Sequence, residues 1–574
     1  MKSIFLLPSL LRLAIASPPP YFQSSDFDTG KLGPYPNHTF ISRPDLVAPS
    51  LNIVKWNDSC DDGLYTFISL RGDKVDPGLG QQGPMILDSK GDLVWMNNTY
   101  GETYDFAVQR FEGEDYLTFW QGQGRKDGHS TGVYVMLDSH YKEVYRSPPS
   151  IAGDLHEFRL TPQGTALSTS YVLKTIDLRF RKGVKIWDSV FQEFDLKTNE
   201  ILFSWNASDH FDVNEAWGTG PNSGFSVGDG FDFWHINSID KDASGNYLIS
   251  SRYWSTVVYI DGRNGEVLWQ LGGKHNSFTD LSDGKATNFA YQHNARWNSD
   301  HTGITLFDNS ARYGHPPIRD NSRGLHILLD LVNMTATLKQ EYANSEKLSS
   351  ISQGNIQILP SGNVLLGYGY NAAWTEFSSE GDAVCDVHIG AKEGFGSGAV
   401  QNYRTRKFEW EGRPIEKPRV RWMEEEGEVW VSWNGATEVR GWRVEGRERE
   451  SGAWVEIETV EKRGFETSVG VNEGNYCYLR VVGVDGEGAS IGMGNVVREI
   501  PLEDDTDDED SADETSSSSE VFLYHGVSGD IWIFWALLAS GVVVGIVCCG
   551  GFIWGHLKHR KYMALSQLAE NDEA

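Results

Sequence analysis

Three histidines with similar surroundings are the residues of this sequence that could do chemistry. His156, His235 and His293 each open a short segment that runs into a polar turn. A fourth segment of the same type begins with Asn355 in place of a histidine. Because imidazole changes its protonation near neutral pH, such a side chain can act as a nucleophile, a base or a metal ligand.

An arginine and an amide accompany His235 in a predicted hairpin. A turn centred between Ala243 and Ser244 places Arg252 opposite His235, and cross-strand neighbours have Cβ atoms roughly 5 Å apart. Asn237 lies two residues from His235, so it is expected on the same face of the strand. An imidazole, an amide and a guanidinium at one point predict a site for a tetrahedral oxyanion.

Two other interpretations of these histidines stay open. Each one can be a hydrogen-bonded structural residue. Three imidazoles and a water would also suit a zinc ion, but the neighbouring Arg252 would repel a cation. We therefore expect no metal and no cofactor at this site.

A repeat over residues 51–400 predicts the elements that bring the histidines together. Apolar residues lead into a polar turn and back six times, at a spacing typical of a four-stranded propeller blade. The turns fall at Asp88, Asp138, Asp195, Asp261, Asp330 and Ser379. We predict an all-β fold with a six-bladed β-propeller, whose innermost strands line one central channel.

Two segments of different composition follow the repeat. Residues 416–500 contain short alternating strands and turn clusters, a pattern that resembles a fibronectin type III β-sandwich module. Residues 501–520 hold ten acidic residues and five serines, and such a run cannot bury a core. We predict a sandwich module on an acidic disordered stalk.

The two ends predict a protein of the secretory pathway. Residues 1–16 have the pattern of a signal peptide, and residues 531–554 form an uncharged run long enough to cross a bilayer. Basic residues open the tail at 555–574, which predicts a single-pass type I protein, by default in the plasma membrane with the propeller outside. Predicted glycosylation sites are Asn37, Asn57, Asn97, Asn206 and Asn333.

The cysteines predict one disulfide bond. Cys548 and Cys549 lie in the predicted membrane segment, which leaves three cysteines outside it. Cys60 precedes the first repeat and Cys385 follows the sixth, so a bridge between them would clamp the ring shut. Cys477 is then the unpaired cysteine.

The overall charge excludes one class of function. The chain has 50 Lys and Arg against 80 Asp and Glu, a net charge of −30, whereas nucleic-acid binding needs clustered cations. The sequence has no P-loop or CxxC constellation, and the string GLGQQG at residues 78–83 is by itself a weak GxGxxG match, so nothing supports a nucleotide-dependent or thiol redox enzyme.

Three motifs resemble the arylsulfotransferases, particularly their eukaryotic, fungal-type branch. They are residues 232–238 (DFWHINS), 249–252 (ISSR) and 291–296 (YQHNAR), within a resemblance over residues 51–390. The resemblance implies a six-bladed propeller that moves a sulfuryl group from a phenyl sulfate to another phenol. It also implies a sulfo-histidine intermediate and no nucleotide sulfate donor.

The resemblance also assigns roles to individual residues. His293 is expected to be the nucleophile, while His156, His235, Asn237 and Arg252 hold the sulfate and stabilise transition-state charge. The expected partners are small aryl sulfates and phenols, with the membrane as anchor and no nucleic acid. Two alternatives remain: a non-catalytic propeller that binds an anionic or glycan ligand at the cell surface, and a quinone-dependent oxidoreductase.

Overall fold

The computed structural model describes residues 20–499, apart from 125–127, 152, 217–224, 228–229, 472–475 and 497. The predicted signal peptide, stalk, membrane segment and tail lie outside these residues. Within the described part, no helix is long and apolar enough to cross a membrane. That part is nearly all-β, with short α-helices at Ser25–Asp28 and Val213–Ala216. Short 3₁₀ turns lie at Asp58–Cys60, Pro77–Leu79, Asn98–Tyr100, Ala207–Asp209 and Lys392–Gly394.

Antiparallel sheets follow one another along the described chain, and we number them from one to six. From the inner strand outward, sheet one consists of Gln401–Asn402 with Arg406–Phe408, Tyr65–Arg71, Pro84–Leu87 and Leu93–Met96. Sheet two consists of Thr103–Phe111, Glu114–Gln121, Val133–Leu137 and Glu143–Arg146. Sheet three consists of Phe158–Leu160, Thr165–Ile176, Val184–Asp195 and Ile201–Asn206. The short strands Phe225–Val227 and Gly230–Asp232 extend sheet three.

Sheets four to six continue the same order. Sheet four consists of Ile236–Lys241, Tyr247–Ser251, Thr256–Ile260 and Val267–Leu271. Sheet five consists of His293–Trp297, Gly303–Asp308, Arg323–Asp330 and Thr335–Tyr342. Sheet six consists of Asn355–Ile358, Val364–Gly367, Ala373–Phe377, Ala383–His388 and Asn52–Lys55. Short strands Thr279–Asp280 and Tyr21–Phe22 add to the outer edges of sheets five and six, and Asn37–Thr39 pairs with Val47–Pro49.

Each sheet contacts the next through its inner strands, and the sixth contacts the first, so the sheets form a closed ring. Side-chain amides bridge neighbouring inner strands. Gln109 of sheet two bonds the backbone of sheet three, and Asn355 of sheet six accepts the Thr405 N–H at 2.9 Å and donates to the Thr405 carbonyl at 2.7 Å. This is a propeller-like all-β arrangement.

The polar turns of the repeat join the third and fourth strands of each sheet. In the first five, the aspartate carboxylate accepts the backbone N–H two residues further on, an Asx turn that explains why aspartate recurs there. The accepting aspartates are Asp88, Asp138, Asp195, Asp261 and Asp330. In the sixth, the turn begins at Ser378, whose hydroxyl accepts the backbone N–H of Asp382, four residues further on, at 3.4 Å.

Apolar side chains fill the space between sheets. Between sheets three and four, Phe191, Trp205, Trp234 and Tyr247 belong to one buried cluster and are each at most 2 % exposed. Burying one such side chain contributes about 1.5–3 kcal/mol. The sheets are therefore held by aromatic packing at their faces and by polar bridges along the ring's centre.

Both ends of the ring segment take part in its closure. The N-terminal strand Asn52–Lys55 pairs with Ala383–His388 of sheet six, and Arg406–Phe408 supplies an inner strand of sheet one. The predicted Cys60–Cys385 disulfide is confirmed, and Cys477 is a buried free thiol. The bridge ties the N-terminal strand to its neighbour within sheet six, rather than joining two sheets as the clamp prediction supposed.

Residues 419–499 form two further sheets around a separate core. One sheet contains Arg419–Met423, Glu428–Ser432 and Glu466–Gly470; the other contains Gly441–Arg447, Val455–Glu461, Tyr478–Val484, Ser490–Met493 and Arg498–Glu499. Val431, Trp442 and Leu479 are fully buried between them. Glu466 accepts the backbone N–H groups of Ile41 and Ser42, so this unit is docked against the segment that precedes the ring.

Replacing both bridging cysteines, Cys60→Ser with Cys385→Ser, should lower the stability of the ring by about 2–4 kcal/mol, because the N-terminal strand is no longer tied covalently. Urea unfolding in non-reducing buffer, followed by tryptophan fluorescence, measures this. Cys477→Ser is the control. A reductant should lower the unfolding midpoint of this variant, whereas it should leave the midpoint of the double variant unchanged. Equal midpoints for the double variant and the unmodified protein would contradict a stabilising bridge.

Candidate active site

A cavity of about 600 Å³ lies where the inner strands of the ring meet. Its lining includes His156 from the start of sheet three, His235 and Arg252 from sheet four, and His293 from sheet five. The structure thus brings together four of the five residues selected from the sequence. Asn237 is the exception.

A β-bulge explains why Asn237 departs from the prediction. The Arg252 N–H donates to the His235 carbonyl at 3.0 Å, as the predicted hairpin requires. The strands, however, shift register between Ile236 and Ser238, so Asn237 no longer shares a face with His235. The Asn237 side chain instead donates to the Gln292 carbonyl at 2.7 Å and links sheets four and five. The expectation that Asn237 faces the channel beside His235 is therefore wrong.

His235 is paired with a buried aspartate. Its Nδ1 lies 2.5 Å from a carboxylate oxygen of Asp232, an arrangement that leaves Nε2 for the cavity. Burial raises the pKa of Asp232 to about 7. Burial, followed by the charges of His156 and Arg252, holds the pKa of His235 well below 6.5. The two side chains therefore form a pair that can hold and release one proton near neutral pH.

His156 has the same kind of partner. Its Nδ1 bonds the carboxylate of Asp154, which also accepts the backbone N–H of Ser130 at 2.9 Å. Burial tends to raise the pKa of Asp154, but the charge and hydrogen bond of His156 hold it below its usual value. The rings of His156 and His235 lie 5.0 Å apart, so two aspartate–histidine pairs meet at the cavity.

The hydrogen bonds around His293 define its tautomer. Its Nδ1 lies 2.7 Å from the amide oxygen of Asn309, and that oxygen is identified because the Asn309 amide nitrogen donates to the carbonyls of Ser350 and Gln353. Nδ1 therefore carries the proton and Nε2 carries the lone pair. Burial and the charge of Arg252 hold the pKa of His293 well below 6.5, so the ring is neutral at physiological pH.

The lone pair of His293 accepts one hydrogen bond. The Gln353 backbone N–H lies 3.2 Å from Nε2, and Gln353 has a positive φ of 66°. Nε2 can attack an electrophile only after this hydrogen bond opens. The same N–H is then placed to donate to an oxygen of the group that binds to Nε2.

Arg252 is a buried cation with donors left over. One Nη donates to the Ile351 carbonyl at 2.6 Å, and the buried Nε has no partner among the described residues. Burial lowers the pKa of Arg252. The Tyr253 ring lies 5.7 Å from the guanidinium of Arg252 and 5.5 Å from that of Arg312, so cation–π contacts position both groups.

Three other buried guanidiniums at the ring's centre are ion-paired with buried carboxylates. Arg404 pairs with Asp105 and Glu157, Arg296 pairs with Glu157, and Arg406 pairs with Asp105. Burial opposes ionisation of Glu157, yet Arg296 and Arg404 hold its pKa at about 2. This network joins the inner strands of four sheets, so Arg296 of the YQHNAR motif is structural.

Tyrosines supply the aromatic part of the lining. Of the aromatic residues in or next to the three motifs, Tyr253 lines the cavity. Phe233, Trp234 and Trp254 belong to the buried cluster between sheets three and four, and Tyr291 packs with Tyr253. Further lining rings come from the inner strand of sheet two (Tyr104), from loops (Tyr313 and Tyr370) and from the closing segment (Tyr403). Aryl rings of a ligand can stack on such a surface.

Sequence reasoning missed the partners of the histidines. Asp154 and Asp232 lie only two and three residues before their histidines, a signal that the sequence did contain. Gln353 and Arg71 lie far from the histidine motifs in the chain, and Asn309 follows His293 by 16 residues. Their contribution depends on the fold.

One group of side chains with the spacing of metal ligands lies away from the three histidines. Among the described residues, the side chains that could hold a metal ion together are Glu346, Asp386 and His388, which do not line the cavity. The asparagines of the five sequons are all exposed or half-buried, and their glycosylation stays a prediction.

Comparison with known proteins gives one family match over part of the chain. A family model described as Arylsulfotransferase (ASST) matches residues 107–390, which contain His156, His235, Arg252 and His293. The match supports an arylsulfotransferase-type function and, in general, aryl sulfate and phenol substrates. A comparison with curated proteins gives no match.

Solved structures give weak similarities. A protein of unknown function from Bacteroides caccae is 14% identical over 60% of this chain and 98% of its own, with a TM-score of 0.34. Virginiamycin B lyase from Staphylococcus aureus is 7% identical over 66% of this chain and 90% of its own, with a TM-score of 0.25. Scores of this size carry no argument about function.

Arg252→Gln should weaken the binding of inorganic sulfate at least ~10-fold, because a charge-assisted hydrogen bond to a dianion is lost at a desolvated site. Isothermal titration of the full-length protein measures the Kd, and circular dichroism checks the fold. Arg263→Gln, at a side chain that is 88% exposed, is the matched control for the change in charge. Equal sulfate affinity in both variants would show that Arg252 does not bind the oxyanion.

Proposed function

We propose that the six sheets are the blades of a β-propeller and that the protein is an aryl sulfotransferase of the fungal-type branch. It transfers a sulfuryl group between phenols through a sulfo-histidine, without a nucleotide sulfate donor. One observation carries the proposal: three histidines from three successive sheets share a cavity with the unneutralised Arg252, and two of them, His235 and His293, are neutral at physiological pH. The family match over residues 107–390 supports it.

The first half-reaction sulfates His293. The donor's sulfate oxygens bind Arg252, and its aryl ring stacks on the cavity's tyrosines. Nε2 attacks sulfur, an S–N bond forms, and the S–O bond to the phenol breaks. The leaving phenolate takes the proton of the Asp232–His235 pair.

The second half-reaction reverses these steps on a new phenol. The acceptor replaces the released phenol, and the Asp232–His235 pair takes the acceptor's hydroxyl proton as its oxygen attacks sulfur. The S–N bond then breaks, so His293 returns to its neutral state with the proton still on Nδ1. One proton leaves the pair and one returns, and the cycle is balanced.

The remaining predictions from the sequence extend this proposal. A signal peptide at 1–16 and a membrane segment at 531–554 would place the catalytic ring outside the cell. A fibronectin type III-like module and then an acidic stalk would connect the ring to the membrane segment. The family match does not favour a non-catalytic binding propeller or a quinone-dependent oxidoreductase.

His293→Ala should lower kcat for sulfuryl transfer from 4-nitrophenyl sulfate to phenol by at least ~10³-fold, because the covalent intermediate cannot form. The assay follows release of 4-nitrophenolate as a function of phenol concentration. His301→Ala, at an exposed histidine outside the cavity, is the control and should keep full activity. If His293→Ala transfers as fast as the control variant, His293 is not the nucleophile.

The first half-reaction should persist as the pH falls from 8 to 6. The pKa of His293 lies well below 6.5, so its lone pair stays available, and lower pH keeps the proton on the Asp232–His235 pair. A nucleophile with an ordinary histidine pKa would lose about three quarters of its rate at pH 6. Quenched-flow measurement of the 4-nitrophenolate burst tests this, and a loss of that size would contradict the account.

A further inference from the structure

A second guanidinium lines the cavity, away from the histidines. Arg71 ends the second strand of sheet one, whereas Arg252 belongs to sheet four. Because the ring has six sheets, sheets one and four are three places apart in either direction and face each other across the centre. The two arginines therefore approach the cavity from opposite sides.

Arg71, like Arg252, has no anionic partner among the described residues, in contrast to the ion-paired guanidiniums near the ring's centre. Arg296, Arg404 and Arg406 each form an ion pair with a buried carboxylate. The Arg71 side chain forms no ion pair or hydrogen bond with any residue that the structure describes, and its buried Nε is without a partner. Its guanidinium lies over the Tyr104 ring, 4.7 Å from the centroid.

Carboxylates near Arg71 do not neutralise it. Glu102 and Asp73 also line the cavity, but neither forms an ion pair with Arg71. Glu102 instead accepts the hydroxyl of Tyr104 at 2.7 Å, which holds the ring beneath the guanidinium. Tyr104 is thereby placed to orient Arg71 towards the cavity while leaving its donors free.

A short chain of contacts connects Arg71 to the proposed nucleophile. Gln401 lies opposite Arg71 in the strand register, and its side-chain oxygen accepts the amide of Gln353 at 2.9 Å. The backbone N–H of the same Gln353 bonds Nε2 of His293. A ligand that reaches from His293 to Arg71 passes along this edge of the cavity, beside the rings of Tyr104 and Tyr403.

We propose that Arg71 is a second anion-binding subsite and that the phenols used by the protein carry a carboxylate at the end of the ring opposite the reacting oxygen. The identity of the reacting group rests on the proposed function. The subsite itself rests on the unneutralised guanidinium. Arginine binds carboxylates through two parallel N–H donors, and a partly desolvated site strengthens such a pair.

The test compares two acceptors of similar size with 4-nitrophenyl sulfate as donor: 4-hydroxybenzoate, which is anionic, and 4-hydroxybenzyl alcohol, which is neutral. In Arg71→Gln, the ratio of kcat/KM for the anionic over the neutral acceptor should fall at least ~10-fold. Arg71→Lys keeps the charge and should lose less of this ratio than Arg71→Gln. Arg263→Gln, with its 88% exposed side chain, controls for the altered net charge and should keep the ratio.

A binding measurement separates this inference from the proposed function. Isothermal titration of the full-length protein gives the Kd of both acceptors in the absence of donor. Preferential binding of 4-hydroxybenzoate that is lost in Arg71→Gln supports the subsite even if no sulfuryl transfer occurs. The subsite is overturned if Arg71→Gln leaves the ratio of affinities, or of kcat/KM values, for the two acceptors unchanged. This holds even if the values for both acceptors fall together, and Arg71 would then only support Tyr104.

Discussion

Closure of the sheet ring is the constraint on which the site depends, because its functional groups come from sheets that meet only at the centre. The strand Asn52–Lys55 completes sheet six, and Arg406–Phe408 completes sheet one. The disulfide and the amide bridges of Asn355 to Thr405 hold the two ends in place. Without this closure, Tyr403 and Arg71 would not lie across from His293 and Arg252.

The electrostatics of the centre follow from which charges are neutralised. Outside the cavity lining, the buried Arg296, Arg404 and Arg406 are each ion-paired with Asp105 or Glu157, so that network contributes structure. At the cavity, Arg252 is unneutralised. Burial and the charge of Arg252 together keep the pKa of His293 low. A cation next to neutral imidazoles favours an anionic ligand, and it favours a nucleophilic histidine over a protonated one.

Much of the fold was accessible from the sequence because it depends on local periodicity. The six turns, the disulfide partners and the convergence of His156, His235 and His293 follow from a repeat in which the same position faces the same centre. The aspartates of the turns recur for a local reason, the Asx turn. Asp154 and Asp232 were also within reach, since they precede their histidines by two and three residues.

Features set by non-local strand pairing could not be predicted from the sequence. The bulge at Asn237 is a register shift that no propensity marks, and it turned a predicted site residue into a link between sheets. The inner strand Arg406–Phe408 lies beyond residue 400, where the predicted propeller ends, and its partner strand is more than 300 residues earlier in the chain. The hydrogen bonds of Gln353 and Asn309 to His293 depend on that three-dimensional arrangement.

The central claim is covalent transfer through His293, and trapping the intermediate tests it most directly. The full-length protein would be mixed with ³⁵S-labelled 4-nitrophenyl sulfate without acceptor, quenched in alkali and mapped by peptide mass spectrometry. The account predicts label on the peptide that contains His293, at a stoichiometry approaching one, and its release as aryl sulfate when phenol is added before quenching. Label on another residue, or label-free protein that nevertheless transfers sulfate to phenol, would contradict it.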